Sequence, residues 1–324
     1  MFSLKALVLT LAMAFALNGA GACDAKKSGA GNSNRSTNSN LSANAGAPVN
    51  SQPEVQDEDA QKAPLKTLSQ GQQSGVINAF IAVARDAETY TALRGLVPNL
   101  PDVDKEFFNS NLVVAAFLGE RRTGGYGVQF KRTSPGILRV EETRPPKDAL
   151  VTQAITTPFS VVVLPVETQG SVAIDAGEPW RAMMRPYKVS DGEFTMSGGF
   201  TGRSEKFGLA GSLNVMREGK LATLLFDLQS KDGQRRLRDA ASGVVQPDGR
   251  LNVGHMGAGS LVTQPADALN ATGTFAESEK TLSLTFGSIP GRVADGYNGT
   301  GSLKAEATAP APQKRRSSAE DAPQ

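Results

Sequence analysis

Between residues 185 and 305 the chain carries runs in which every second residue is apolar. Phe207, Leu209, Gly211, Leu213 and Val215 fall on one face of such a run, and Leu282, Leu284 and Phe286 on one face of another, with Thr281, Ser283 and Thr285 opposite. A period of two sends alternate side chains to opposite faces of a strand, which a helix cannot do. Turn signals interrupt the runs at Glu218-Gly219, Lys231-Asp232-Gly233, Pro247-Asp248-Gly249 and Asp295-Gly296, and 19 of these 121 residues are glycine, about twice the usual share. Short alternating strands so punctuated predict an all-β unit over 185–306, an antiparallel barrel or sandwich. About eight strands are expected, at 193–200, 207–215, 221–229, 235–245, 250–256, 268–276, 281–287 and 298–305. Gly211, Gly254, Gly273 and Gly301 lie inside these runs, where glycine suits the sharp bends of a small barrel. Such a barrel encloses either packed side chains or one small hydrophobic ligand. With aromatics at only 6% of the chain, the second alternative stays open.

The ends of the chain cannot join this core. Lys5 is followed by an uncharged run from Ala6 to Leu17, shorter than the roughly 20 residues that span a bilayer. The pattern predicts a signal peptide over 1–22. Ala20-Gly21-Ala22-Cys23 resembles a bacterial lipobox, departing from it at Ala20, where leucine is usual. Cys23, the only cysteine, is the expected lipidation site, and two or more acyl chains would anchor the protein stably. The expected location is therefore the bacterial cell envelope, lipid-anchored at the inner or outer membrane and facing the periplasm or the surface. Residues 23–63 are rich in Ser, Asn, Gly and Ala without apolar periodicity, and predict a disordered tether. Residues 307–324, with the cluster Lys314-Arg315-Arg316, predict a disordered tail.

Residues 64–178 read differently. A β-branched and aromatic run at 76–84 predicts a strand, and Asp86 and Gly95 bound a short helix over 87–94 as N-cap and C-terminal glycine. The continuous apolar runs at 112–118 and 159–164 predict strands buried on both faces, and 127–131 and 137–142 complete an α+β unit with a mostly antiparallel sheet. Residues 119–126 are expected to close a hairpin between two of these strands. A junction at 179–184 carries the only tryptophan, Trp180, expected to pack between the two units.

Composition narrows the function classes. Lys plus Arg number 34 against 32 Asp plus Glu, a net charge of +2, so the clustered basic excess of a nucleic-acid binder is missing. One histidine and one cysteine exclude Cys₄ and Cys₂His₂ zinc sites and any Cys–His nucleophile pair. His255, on a strand with Leu251 and Val253, reads as a packed or surface residue. Asp102, Asp104 and Glu106 lack the glycine and length of a calcium loop. No catalytic residue, metal site or cofactor is expected, and the composition describes a binding or structural protein better than an enzyme. The expected partners are the membrane, through Cys23, and another envelope protein. The candidate partner-binding loop holds Glu120, Arg121, Arg122, Gly124, Gly125 and Tyr126, combining arginines and an aromatic ring of the kind that dominates binding hot spots.

Asn111-Leu112-Val113-Val114, Phe117-Leu118-Gly119-Glu120-Arg121, Thr123-Gly124-Gly125-Tyr126 and Thr157-Pro158-Phe159-Ser160-Val161-Val162 together resemble the PrcB C-terminal domain, over about residues 76–167. That family takes its name from a subunit of a surface protease complex and is found in secreted bacterial lipoproteins. The resemblance implies an accessory or interaction module, possessing no catalytic residues to carry over, that assists a protease or other surface complex.

Overall fold

The computed structural model describes residues 65–309, except 98, 135, 166–169, 199–203, 262–267, 277 and 290–296, together with Pro312. The signal segment, Cys23, the tether, the turn at Asp295-Gly296 and the basic cluster of the tail lie outside the described residues. In chain order the first part runs β1 (Lys66–Gly71), β2 (Phe80–Ala84), α1 (Ala87–Arg94), β3 (Asn111–Phe117), β4 (Gly127–Ser134), β5 (Ile137–Thr143), β6 (Phe159–Pro165), β7 (Ala173–Ala176) and the short helix α2 (Glu178–Arg181). The second part is β8 (Arg185–Gly198), β9 (Ser204–Glu218), β10 (Leu221–Ser230), β11 (Arg236–Val245), β12 (Arg250–Gly257), β13 (Ala268–Ala276), β14 (Thr281–Ser288) and β15 (Tyr297–Ala307).

The fold is α+β followed by all-β, as the patterns require. Strands β1, β6, β3 and β2 form an antiparallel sheet in that order, and every residue of β2 and all but the first of β3 are buried. These are the apolar runs, with no polar face to turn toward water. Phe80, Phe117 and Phe159 stack across β2, β3 and β6, with ring centroids 6.2 and 6.3 Å apart. Asp86 caps α1 by accepting from the Thr89 amide at 2.7 Å. A smaller sheet, in the order β4-β5-β7, lies beside it, with β5 and β7 parallel. The sequence shows no sign of β1 or β7, whose short stretches carry little alternation.

Strands β8 to β15 close into an up-and-down antiparallel barrel, β15 returning to pair with β8. Leu209, Leu213, Val215, Leu282, Leu284 and Phe286 point into it, as the alternation demands. Phe226 and Phe286 stand on strands at opposite sides of the barrel, yet their ring centroids are 6.3 Å apart, so side chains fill the lumen at that level. Strand β8 starts at Arg185 rather than 193, and a register shift between Lys188 and Glu193 carries it through Ser190-Asp191-Gly192.

Two further expectations need correction. The first strand begins at Phe80 rather than Val76, since the Ile77 carbonyl accepts from Glu120 instead of joining a ladder. Residues 119–126 do not close a hairpin: β3 and β4 lie in different sheets. Arg121 exchanges both main-chain hydrogen bonds with Thr156, at 2.7 and 2.8 Å, which draws the chain away from β3 toward β4.

The barrel wall covers the free edge of β2. An uncovered edge would leave N–H and C=O groups unpaired. Two barrel hydroxyls replace the missing strand: Val83 N donates to Ser242 Oγ at 2.7 Å, and Thr223 Oγ1 donates to the Ile81 carbonyl at 2.6 Å. Met216, Leu221, Ala240 and Val244 of the barrel's outer face share one apolar cluster with the sheet. Trp180 is fully buried in that same cluster, its Nε1 donating to the Phe117 carbonyl at 2.8 Å.

Candidate functional site

The loop 119–126 is held by its glycines. Gly119 has φ +77°, and a Cβ there would sit 2.6 Å from the Ile77 carbonyl. Gly125 has φ +86° and packs against Pro145, while Gly124 lies directly on Thr152, its N–H donating to the Thr152 carbonyl at 2.9 Å. Positive φ and backbone approach this close are open to glycine alone at no steric penalty. Gly124 and Gly125 therefore shape the loop through the backbone. Tyr126 is fixed by its own carbonyl, which accepts from Gln72 Nε2 at 3.0 Å.

The side chains so positioned meet residues from β5 and the segment after it. Arg121 Nε donates to Glu142 Oε1 at 3.1 Å, and Arg144 Nε donates to Glu142 Oε2 at 2.8 Å. The Glu142 side chain is only 8% exposed, so one nearly buried carboxylate sits between two guanidinium groups. The Arg121 guanidinium also lies 5.7 Å from the Tyr126 ring centroid, within cation–π range. Arg121, Tyr126, Glu142 and Arg144 line a cleft of about 520 Å³, whose other wall includes Leu118, Glu178 and Met183. The cleft thus offers guanidinium donors, an aromatic face and apolar walls.

Of the candidate loop residues, Arg121 and Tyr126 reach this cleft. Arg122 is exposed and is not part of its wall. Glu120 contributes its main-chain N–H, donated to the Ile77 carbonyl at 2.8 Å. Glu142 and Arg144 were invisible as site residues, since on β5 and beyond they look like the solvated charges of an alternating strand. Cys23 lies outside the described residues. Among the described residues no group of three or more His, Cys, Asp or Glu could hold a metal, and no helix is long and apolar enough to cross a membrane.

Sequence reading also missed the buried charges behind the sheet edge. Asp239 is 1% exposed. Its Oδ1 accepts from Arg85 at 2.6 Å and from the Val172 amide at 2.7 Å, and its Oδ2 from the Gly257 amide at 2.8 Å. Burial pushes its carboxyl up to about 6, against the opposing pull of Arg85 and the amide donors. Strands β11 and β12 pair at only two positions, and Asp239 bridges the stretch where they part. The only available signal was that Asp239 falls in step with Leu237 and Ala241 of β11 rather than with Arg236 and Arg238. His255 turns out beside this cluster rather than with Leu251 and Val253. A register shift between Val253 and Met256 rotates it so that Nδ1 lies 3.0 Å from the Arg85 carbonyl. A carbonyl only accepts, so Nδ1 carries the proton.

The fold is an α+β unit fused to a closed eight-stranded antiparallel β-barrel. Residues 112–165, from β3 to the end of β6 and including the loop and Glu142, match the PrcB C-terminal family. The chain is also similar to a crystal structure from Bacteroides ovatus, a structural-genomics protein of unknown function. The two are 11% identical, the match covers 74% of this chain and 95% of that one, and the TM-score is 0.28. No curated protein matches the chain.

Proposed function

We propose that this protein is a lipid-anchored, non-enzymatic accessory protein of the bacterial envelope, tethered through Cys23, whose cleft beside Tyr126 docks a segment of another envelope protein. The observation that carries the docking role is the Arg121–Glu142–Arg144 arrangement. It holds two arginines and an aromatic ring in fixed positions on the wall of a 520 Å³ cleft, within the stretch that matches the PrcB C-terminal family. Rigidly presented Arg and Tyr side chains lose little entropy on binding. The family match supports an accessory role in a surface complex, protease or other. Anchoring is supported by the signal segment and by the lipobox-like residues Ala20 to Cys23. A carrier role for the barrel finds no support in the lumen, where Phe226 and Phe286 meet.

Two experiments test this reading. Labelling cells with a palmitate analogue should mark the wild type and not Cys23→Ala; equal labelling overturns the anchor. Crosslinking in intact cells from a photoreactive residue at Arg144, which is 71% exposed, should trap a partner that Tyr126→Ala no longer captures. Capture that persists in a folded Tyr126→Ala protein rules the cleft out.

A further inference from the structure

Arg185 and Arg217 each bury an Nε that makes no hydrogen bond. Both side chains line one cavity of about 60 Å³, walled otherwise by Tyr187, Glu279 and apolar residues including Ala79, Met183 and Val215. This cavity adjoins the cleft at Tyr126, with Ala79 and Met183 contributing to both walls. The Arg185 side chain is 10% exposed and that of Arg217 is 26% exposed. Among the described residues Glu279 is the one acidic residue of the wall, and it serves both arginines, at 3.7 Å from Arg185 and 2.5 Å from Arg217.

Two guanidinium groups sharing one carboxylate leave a positive charge uncompensated in a half-enclosed space. Buried donors on charged groups are expensive to leave unmade, and in native proteins such groups are met by ordered water or an ion. Water would satisfy the donors but not the charge, and an added cation would increase it. Guanidinium forks match the paired oxygens of carboxylate and phosphate. The rings of Tyr187 and Phe275 lie 5.7 and 5.3 Å from the two guanidinium groups and hold them in place. The hairpin turn between β13 and β14 shows how firmly Glu279 is held. Ser278 and Glu279 take φ of +55° and +65°, which a two-residue hairpin turn normally gives to Asn-Gly. The Tyr187 hydroxyl donates to the Glu279 carbonyl at 2.5 Å and stabilises that conformation.

We infer that Arg185 and Arg217 form a binding site for one small oxyanion, a carboxylate or a phosphate group. A half-enclosed cavity of about 60 Å³ has room for such a group.

Thermal unfolding of the full chain in sodium phosphate, and separately in sodium acetate, against sodium chloride at equal ionic strength and pH, tests the site. At least one oxyanion should raise Tm along a saturable curve, by about 2 °C or more at a hundred times its midpoint concentration. A rise with phosphate alone assigns the site to phosphate groups, with acetate alone to carboxylates, and with both to the shared chemistry. Arg217→Gln should move the midpoint at least tenfold. Because it is partly exposed, this variant is expected to fold even if Arg185→Gln does not. No saturable rise over chloride with either anion, or a midpoint unchanged in Arg217→Gln, overturns the proposal.

Discussion

The Arg85 guanidinium donates to the Asp239 carboxylate at 2.6 Å, tying the residue after β2 to the middle of the barrel strand β11. Their side chains are 6% and 0% exposed, so the pair crosses from sheet to barrel away from water. Removing one member of a buried pair strands the other, at about 3–5 kcal/mol. Asp239→Asn also sets an amide NH₂ against the N–H of Val172 or Gly257, both of which need an acceptor. Urea unfolding at pH 7 should show a loss of that size. A change below about 1 kcal/mol would contradict it.

The same residue imposes a pH dependence. Its carboxyl titrates near 6 when folded and near 3.8 when unfolded, so the folded state holds the proton more tightly. The stability this contributes is fully present below about pH 4 and is lost as pH rises through 6. At about 1.4 kcal/mol per pH unit between the two values, the loss approaches 3 kcal/mol. The difference in unfolding free energy between wild type and Asp239→Asn should therefore shrink from pH 4 to pH 7. Parallel profiles would show that Asp239 does not titrate in this range.

At the covered sheet edge, Ser242→Ala removes the acceptor of the Val83 amide and the hydroxyl 2.7 Å from Thr223 Oγ1. A buried N–H left without a partner costs about 1–3 kcal/mol. The Val83 amide should then exchange its hydrogen measurably faster than in the wild type. Unchanged protection at Val83 would mean that water or another group takes the place of Ser242.

Gly119→Ala places a Cβ 2.6 Å from the Ile77 carbonyl in a backbone of φ +77°. Clash and left-handed strain together should destabilise the fold by about 1–3 kcal/mol. Gly219→Ala is the control, since it has φ +54° with nothing within 4 Å, and should cost less. Equal Tm values for the two variants would show that close approach contributes nothing.

In the barrel, Phe286→Ala opens the lumen opposite Phe226 and should cost about 3–5 kcal/mol. Loss of less than about 1 kcal/mol would indicate that the lumen is not packed there. By contrast, Arg122→Ala, at an exposed side chain, should change stability by less than about 0.5 kcal/mol.

Much of the barrel was present in the sequence because in-out alternation is a local property. Leu282, Leu284 and Phe286 face the lumen, and Thr281, Ser283 and Thr285 do not, wherever the strand lies. Glycines at 119, 124 and 125 likewise marked a loop before any partner was known, since positive φ and close approach are demands on single residues.

Closure of the barrel, the parting of β3 and β4 into separate sheets, and the buried Arg85–Asp239 pair were settled only in three dimensions. Arg85 and Asp239 stand 154 positions apart, and each alone reads as an ordinary surface charge. Glu142 and Arg144 look like solvated residues until the loop brings Arg121 onto the same carboxylate. Alternation and turn chemistry act within a few residues of chain, whereas hydrogen-bond partners and burial depend on which distant segment arrives. The sequence therefore determined which faces are apolar and where the chain turns, and tertiary packing decided which charges were to be buried together.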